Sequence, residues 1–309
     1  VIALKKPPLL TWSGEKIFTG TNYIDNPVKI EPGTLIKMGP GANLVFRQLL
    51  EITGTAKSPI VIKPSHPSKP FGLIALQGKK TAGSSIRYLT MENGSGGRLL
   101  NIQYTGMLNI HNTHDIKLSN IKISDNHVTD DMLHIVYSDN VSVEYFETKN
   151  ARADAIDIDI AKNVRLKGGI IQDSGNDGID LMTSDAIIED VIISQSKDKA
   201  ISVGEGSQVL LKNSQLISNT VGIASKDDSK TTVLDVKFTS NKKQLAAYKK
   251  NWRYGTGGKI EISNSLFTGA NNTFNAGEQS FIQIKDSIML PMVKPGNRMA
   301  FSNVRKNKP

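Results

Sequence analysis

From residue 108 onward the chain repeats itself, in segments that open on an apolar–x–apolar triplet. These are Leu108-Asn109-Ile110, Leu133-His134-Ile135, Ile156-Asp157-Ile158, Ile179-Asp180-Leu181, Ile201-Ser202-Val203, Ile223-Ala224-Ser225 and, more weakly, Leu245-Ala246-Ala247. The successive steps are 25, 23, 23, 22, 22 and 22 residues. No segment sustains a 3.6-residue apolar period over a dozen residues, and the Leu/Asn consensus of a leucine-rich repeat is absent, so other solenoids fit worse. Eight residues into the coils lie Ile116, Val141, Val164 and Val209, each preceded by a polar residue (Asp115, Asn140, Asn163, Gln208) suited to a turn. A third apolar patch follows, as at Ile121/Ile123, Ile170/Ile171 and Ile192/Ile193. Strand, turn, strand, turn, strand closes one triangular coil, and stacked coils pair in parallel at about 4.8 Å. The expected fold is all-β: a right-handed single-stranded parallel β-helix of 22–25-residue coils, three strands per coil.

The N-terminal third reads as the same architecture with irregular coils. Short strands at Val28-Lys29-Ile30, Leu44-Val45-Phe46, Ile60-Val61-Ile62, Leu73-Ile74-Ala75 and Ile86-Arg87-Tyr88 are punctuated by Pro32-Gly33, Gly39-Pro40-Gly41 and Pro67 to Pro70. Residues 1–27 are expected to cap the open end of the core, 28–286 to form the solenoid, and 287–309 to form a C-terminal cap and basic tail. Aromatics are only 6% of the 309 residues, so the core must be mostly aliphatic. There is no cysteine, which excludes a disulfide-dense scaffold and thiol chemistry. No apolar stretch reaches the roughly 20 residues needed to span a bilayer. The numbering opens at Val1 without a visible leader, and a secreted or periplasmic envelope protein, monomeric, is the expectation. The net charge of +9 favours polyanionic partners, although a lysine-rich surface also simply aids solubility.

Stacking turns sequence offsets into columns. One residue past each coil's first apolar residue run Asn109, His134, Asp157, Asp180, Ser202 and Ala224. Three residues past it run His111, Val136, Asp159, Met182, Gly204, Lys226 and Tyr248. Two residues before it run Asp131, Asp154, Asp177, Lys199, Val221 and Lys243. Like charges about 5 Å apart repel by more than about 1 kcal/mol even at high effective dielectric. Ca²⁺ held by Asp154, Asp157, Asp177 and Asp180 is one compensation, since it takes six to eight oxygens. A shared proton is another, and His134 with Lys199 a third. Against this stands a structural reading in which Asp131 and Asp154 only bond turn N–H groups; Asp157 and Asp180, in mid-strand, have no turn to stabilise. Below the acidic band the face turns basic, ending in Tyr248-Lys249-Lys250-Asn251-Trp252-Arg253-Tyr254. Rings that stack on sugars, interleaved with cations that meet carboxylates, suit an acidic polysaccharide. Asp157, Lys226, Tyr248, Lys249, Trp252 and Arg253 are thus the candidate substrate-binding residues; a bland alternative has Trp252 and Tyr254 covering the core. No nucleic-acid motif is present, and an acidic band would repel phosphate. His111, His114 and His127 make no convincing zinc set.

The coil pattern resembles the pectin-lyase-like superfamily of right-handed β-helices. Asn176-Asp177-Gly178-Ile179-Asp180, followed by Lys197-Asp198-Lys199-Ala200-Ile201-Ser202-Val203-Gly204, resembles the active-site run of polygalacturonases. That resemblance implies inverting hydrolysis by Asp177 and Asp198; Lys199 stands where the second aspartate of the family's pair belongs, and Val221 replaces its histidine. Gly33 to Gly41, Asp198 to Glu205 and Tyr248 to Gly255 are similar to uncharacterised bacterial secreted β-helix proteins. Three functions follow as expectations. The first is a lyase or epimerase on a uronic-acid polymer, with Lys199 as base if its pKa is depressed, His134 as its rival, Asp177 and Asp180 beside them and Arg253 clamping substrate. The second is a hydrolase using Asp177 and Asp198. The third is a non-catalytic envelope module that binds acidic glycan through its basic end.

Overall fold

The computed structural model describes residues 6–269 and 273–305, and within them the chain is a stack of parallel coils. The repeat triplets pair rung to rung in the register that their spacing predicts: Leu108 with Leu133, then Ile156, Ile179, Ile201, Ile223 and Leu245. Their strands form one sheet of eleven, from Thr21–Ile24 to Phe274–Ala276. The second and third legs of each coil belong to a single 22-stranded sheet, and in His114–Ser124 and Asp139–Ala151 both legs are one continuous strand. The corner between these legs is one residue in the left-handed region: Asn120, Tyr145, Gly168, Asp190, Asn213 and Asp235, with φ between 51° and 66°. Asn, Asp and Gly tolerate that conformation, which is why they recur at the corner.

Polar ladders hold the other corners. Asn140 donates to Asp115 Oδ1 at 3.0 Å and Asn163 donates to Asn140 Oδ1 at 2.7 Å, all three with left-handed φ. Inside the wall, buried Asn219 accepts the Ser196 N–H at 2.9 Å and donates to Ile193 O, while Asn241 Oδ1 accepts the Asn219 N–H at 2.9 Å. Replacing Asn219 by Leu keeps the volume but strands these backbone groups. We expect a loss of about 1–3 kcal/mol, read as a fall of several degrees in melting temperature with unchanged far-ultraviolet circular dichroism; an unchanged melting temperature would refute the ladder's role.

One hydrophobic core runs the whole length, from Trp12 to Met289. It is mostly aliphatic, with Phe71 and Phe146 along its length and further rings toward the ends. Trp12 packs on Phe18 and Phe46, and Phe238 stacks on Phe267 at 4.7 Å. The solenoid outruns the bounds read from the repeat. Leu10–Trp12, Glu15–Phe18 and Thr21–Ile24 pair in parallel with Val28–Ile30, Leu35–Met38 and Asn43–Phe46, so the segment expected as a cap holds a full coil. At the other end, Ile288–Leu290 and Met299–Ser302 still pair with the preceding coils. These rungs were hidden because their spacing is irregular. The terminal parts of the expected caps, residues 1–5 and 306–309, lie outside the described residues. No helix among the described residues is long and apolar enough to cross a membrane.

Candidate active site

Two inserts frame the outward face of the eleven-stranded sheet. At the N-terminal side an antiparallel hairpin, Gly97–Leu99 with Ile102–Tyr104, lays Leu99, Ile102 and Tyr104 over the outward residues Val45, Leu73 and Ala75. At the C-terminal side the loop through residues 249–257 is tied down by two aspartates with left-handed φ. Asp227 Oδ1 accepts the N–H groups of Lys250 and Asn251 at 2.7 and 2.8 Å, and Asp228 accepts those of Gly255 and Thr256 at 2.9 and 2.5 Å. The rungs carrying His134, Asp157, Asp180 and Ser202 lie between the inserts.

The predicted columns are real neighbours. Asn109, His134, Asp157, Asp180 and Ser202 follow one another in register, as do Val136, Asp159, Met182 and Gly204. His134 is the pivot. Thr105 Oγ1 lies 2.7 Å from its Nδ1, and its Nε2 faces Asp159 Oδ2 at 3.4 Å and Asp157 Oδ2 at 3.8 Å. Gly106 makes the room: a Cβ there would stand 2.9 Å from the His134 backbone nitrogen. With its own side chain only 7% exposed, the ring is fixed by groups on both nitrogens.

Two carboxyls here, Asp131 and Asp154, hold protons near neutrality, and a third is shifted the same way. Burial, reinforced by Asp154 and Asp130 and opposed by a hydrogen bond from Thr105, pushes Asp131 up to about 8. Burial and the charges of Asp177 and Asp180 take Asp154 to about 7, although its carboxylate accepts the Asp177 N–H at 2.7 Å. Burial, then Asp131, Asp159 and Asp180, pushes Asp157 well above the usual carboxylate range. Three aspartates on two adjacent rungs, Asp131 on one and Asp154 with Asp157 on the next, do not all ionise in a shielded trough.

Three expectations are corrected. The quartet Asp154, Asp157, Asp177 and Asp180 does not converge on one ion. Asp154 turns to the Asp177 N–H and the Asn176 amide, and Asp177 to the Lys199 N–H at 2.8 Å. The groups that do converge are His134, Asp157 and Asp159, whose ligand atoms lie within 4.8 Å of one another. One nitrogen and two carboxyls do not fit Ca²⁺, which takes six to eight oxygens. Secondly, Lys199 is not a neutral base. Burial alone would lower its pKa, but contacts with Asp177 (3.3 Å) and Asp198 outweigh it and hold the ammonium above its ordinary range. Thirdly, that same ammonium lies between Asp177 and Asp198, filling the place a hydrolytic water would need between an inverting pair.

The basic end is as exposed as a binding loop should be. Trp252 is 83% exposed, so it does not cover the core, and the Arg253 guanidinium lies 5.8 Å from its ring. Lys249 reaches Gln279 at 3.3 Å. Tyr248 stands in register with Lys226. His111 borders the site between Tyr104 and Tyr137, whereas His114 lies in the other sheet with Asp115. Sequence reading missed the part played by Thr105. It belongs to an insert rather than to a coil, so no column points to it. Asp159 was visible in its column, and only its approach to His134 reveals its use.

The family model described as a right-handed β-helix region matches residues 106–287. No curated protein matches the sequence. Among solved structures, the chain is similar to the A-module of a mannuronan C-5 epimerase from Azotobacter vinelandii, at 12% identity and a TM-score of 0.59 over 92% of this chain and 91% of that one. It is similar to an exopolygalacturonase from Thermotoga maritima at 12% identity and 0.58, over 85% and 79%. An alginate lyase from a Paenibacillus species gives 12% identity and 0.52, over 89% and 93%. At such identities the likeness is one of fold. Together with the rung register, the family match over more than half of the chain places it in the right-handed parallel β-helix family.

Proposed function

We propose that this is a carbohydrate-active protein that acts on a uronic-acid polysaccharide as a lyase or epimerase, with His134 as the base. The observation that carries the reading is a buried imidazole whose Nδ1 meets Thr105 and whose Nε2 faces Asp157 and Asp159, set beside Asp131 and Asp154, which burial keeps protonated near neutral pH. Both reactions begin by removing the proton α to the uronate carboxylate. With the Nδ1–H donated to Thr105 Oγ1, Nε2 keeps its electron pair and takes that proton, and the electrons of the broken C–H bond pass toward the carboxylate. A protonated Asp157 donates a hydrogen bond to the developing charge. In elimination the pair then forms the ring double bond, the glycosidic C–O bond breaks, and the leaving oxygen takes a proton from an acid of the band. In epimerisation a proton returns to the opposite face of the same carbon. The fold-level likeness to an alginate lyase and to a mannuronan epimerase supports the reading, and such a polymer implies a site of action outside the cytoplasm.

The test is a panel of polymannuronate, polyguluronate, polygalacturonate and polyglucuronate. Lyase activity appears as ultraviolet absorbance of the unsaturated uronate, and epimerase activity as altered uronate stereochemistry by NMR. Neither signal on any polymer would remove the catalytic reading. The exposed Trp252–Arg253 pair favours a second reading, a non-catalytic glycan-binding module. That reading expects salt-sensitive polyuronate binding that persists when Asp157 and Asp180 are both replaced by Asn.

A further inference from the structure

Lys226 is the last residue of the strand Val221–Lys226 and points outward on the trough face. Its side chain lies back along the column over Gly204. A Cβ at that glycine would come within 3.1 Å of Lys226 Cε and 3.5 Å of Nζ, so glycine leaves the bed in which the lysine stem rests. The residue is only 5% exposed, yet among the described residues its ammonium makes no hydrogen bond and no ion pair. Lys199, whose side chain is 13% exposed, and two partly exposed lysines among the described residues are paired. Lys199 meets Asp177 and Asp198, and Lys167 and Lys212 converge on Glu189. Glu205 feels Lys226 without touching it. Its Nζ is not among the fully buried unpartnered atoms, so the lysine keeps a narrow opening to the trough through which an anionic ligand can reach an ammonium that has no counter-charge of its own.

We propose that Lys226, with Tyr248 beside it in register, is a subsite for one uronate carboxylate of an acidic polysaccharide and selects acidic over neutral polymer. The inference rests on the reading of the chain as polyuronate-active and assigns a specificity residue to the same trough. Two rungs separate Gly204 from Asp159, about 10 Å along the axis at 4.8 Å per rung. A monosaccharide cannot span that distance, so the subsite serves a sugar some units along the chain from the one at His134. A single ammonium flanked by a phenol and a nearby glutamate suits a monoanion better than a dianionic phosphate.

The test is calorimetry with uronate oligosaccharides, with the same oligosaccharides after reduction of their carboxyls to alcohols, and with sulfated dextran. The wild-type protein should prefer the acidic to the reduced form by roughly 10- to 100-fold. In Lys226→Met that preference should collapse toward one while the melting temperature rises, since a neutral chain of similar length removes an unpaired charge. Trp252→Ala should instead weaken acidic and reduced forms alike. The subsite is overturned if Lys226→Met keeps the preference, if no uronate oligosaccharide binds the wild-type protein, or if sulfated dextran binds more tightly than the uronates. Failure of the catalytic reading is distinguishable: wild-type protein would then bind acidic oligosaccharide with the stated preference and yield neither unsaturated nor epimerised product.

Discussion

His134→Gln should lower turnover on the responsive polyuronate by roughly 10²- to 10⁴-fold, the usual contribution of a positioned base. The melting temperature and the binding of acidic oligosaccharide should stay near those of the wild-type protein. Glutamine can still reach Thr105, so the trough keeps its shape, but an amide cannot take up a proton from carbon. Thr105→Val provides the companion measurement. Thr105 does not reach the proton-abstracting nitrogen; it faces Nδ1 at 2.7 Å and thereby sets which way Nε2 points. The expectation is a fall in kcat of roughly 10- to 100-fold with KM little changed, the pattern of a misplaced group rather than a lost binding contact. A His134→Gln protein with wild-type turnover would end the assignment. A Thr105→Val protein with normal kcat would show that the hydroxyl does not govern the ring.

The architecture and the membership of the columns were legible because a parallel solenoid converts sequence offset directly into spatial adjacency. The pairings of Asp157 with Asp180 and of Lys226 with Tyr248 follow from counting alone. What counting could not supply is the direction taken by each side chain. Asp154 and Asp177 belong to one column by sequence, yet both bend toward the backbone N–H of the next rung and leave the space a metal would need. Lys199 stands below the aspartates as its position demands. The short reach to Asp177 and Asp198 then fixes its charge, which is the opposite of what a base requires. The framing hairpin and Thr105 lie in an insert between coils, where periodicity carries no information. The first and last rungs were missed for the same reason, since irregular loop lengths break the count though not the register.

Melting temperature should fall as pH rises from about 5 to about 8, the reverse of the usual rise on leaving acid. Asp131, Asp154 and Asp177 bind protons in the folded state up to about 8, about 7 and about 6, and Asp157 also binds well above its ordinary range. In the unfolded chain all four release their protons near pH 4. Between those limits the native state holds more protons than the unfolded one, so stability decreases with pH. The stabilisation is complete below about pH 4 and is lost as pH climbs through the folded values. Glu189 works in the opposite sense. The Lys212 ammonium first, then Arg165 and Lys167, hold its carboxyl down to about 2, so its contribution disappears only in stronger acid and does not mask the slope above pH 5. The residue that should expose the mechanism most clearly is Asp131. It is 1% exposed, and its Oδ2 has no hydrogen-bond partner among the described residues, so an ionised Asp131 at pH 8 is a buried charge without a counter-ion. Asp131→Asn should therefore stabilise the protein at pH 8 by about 1–3 kcal/mol, leave it nearly unchanged at pH 5, and flatten the dependence between them. At roughly 2–4 °C per kcal/mol for a chain of this size, scanning calorimetry at the two pH values resolves the difference. A wild-type melting temperature that rises steadily from pH 5 to pH 8 would mean that the aspartate band is ionised and solvated, and the acid–base role given to Asp157 would fall with it.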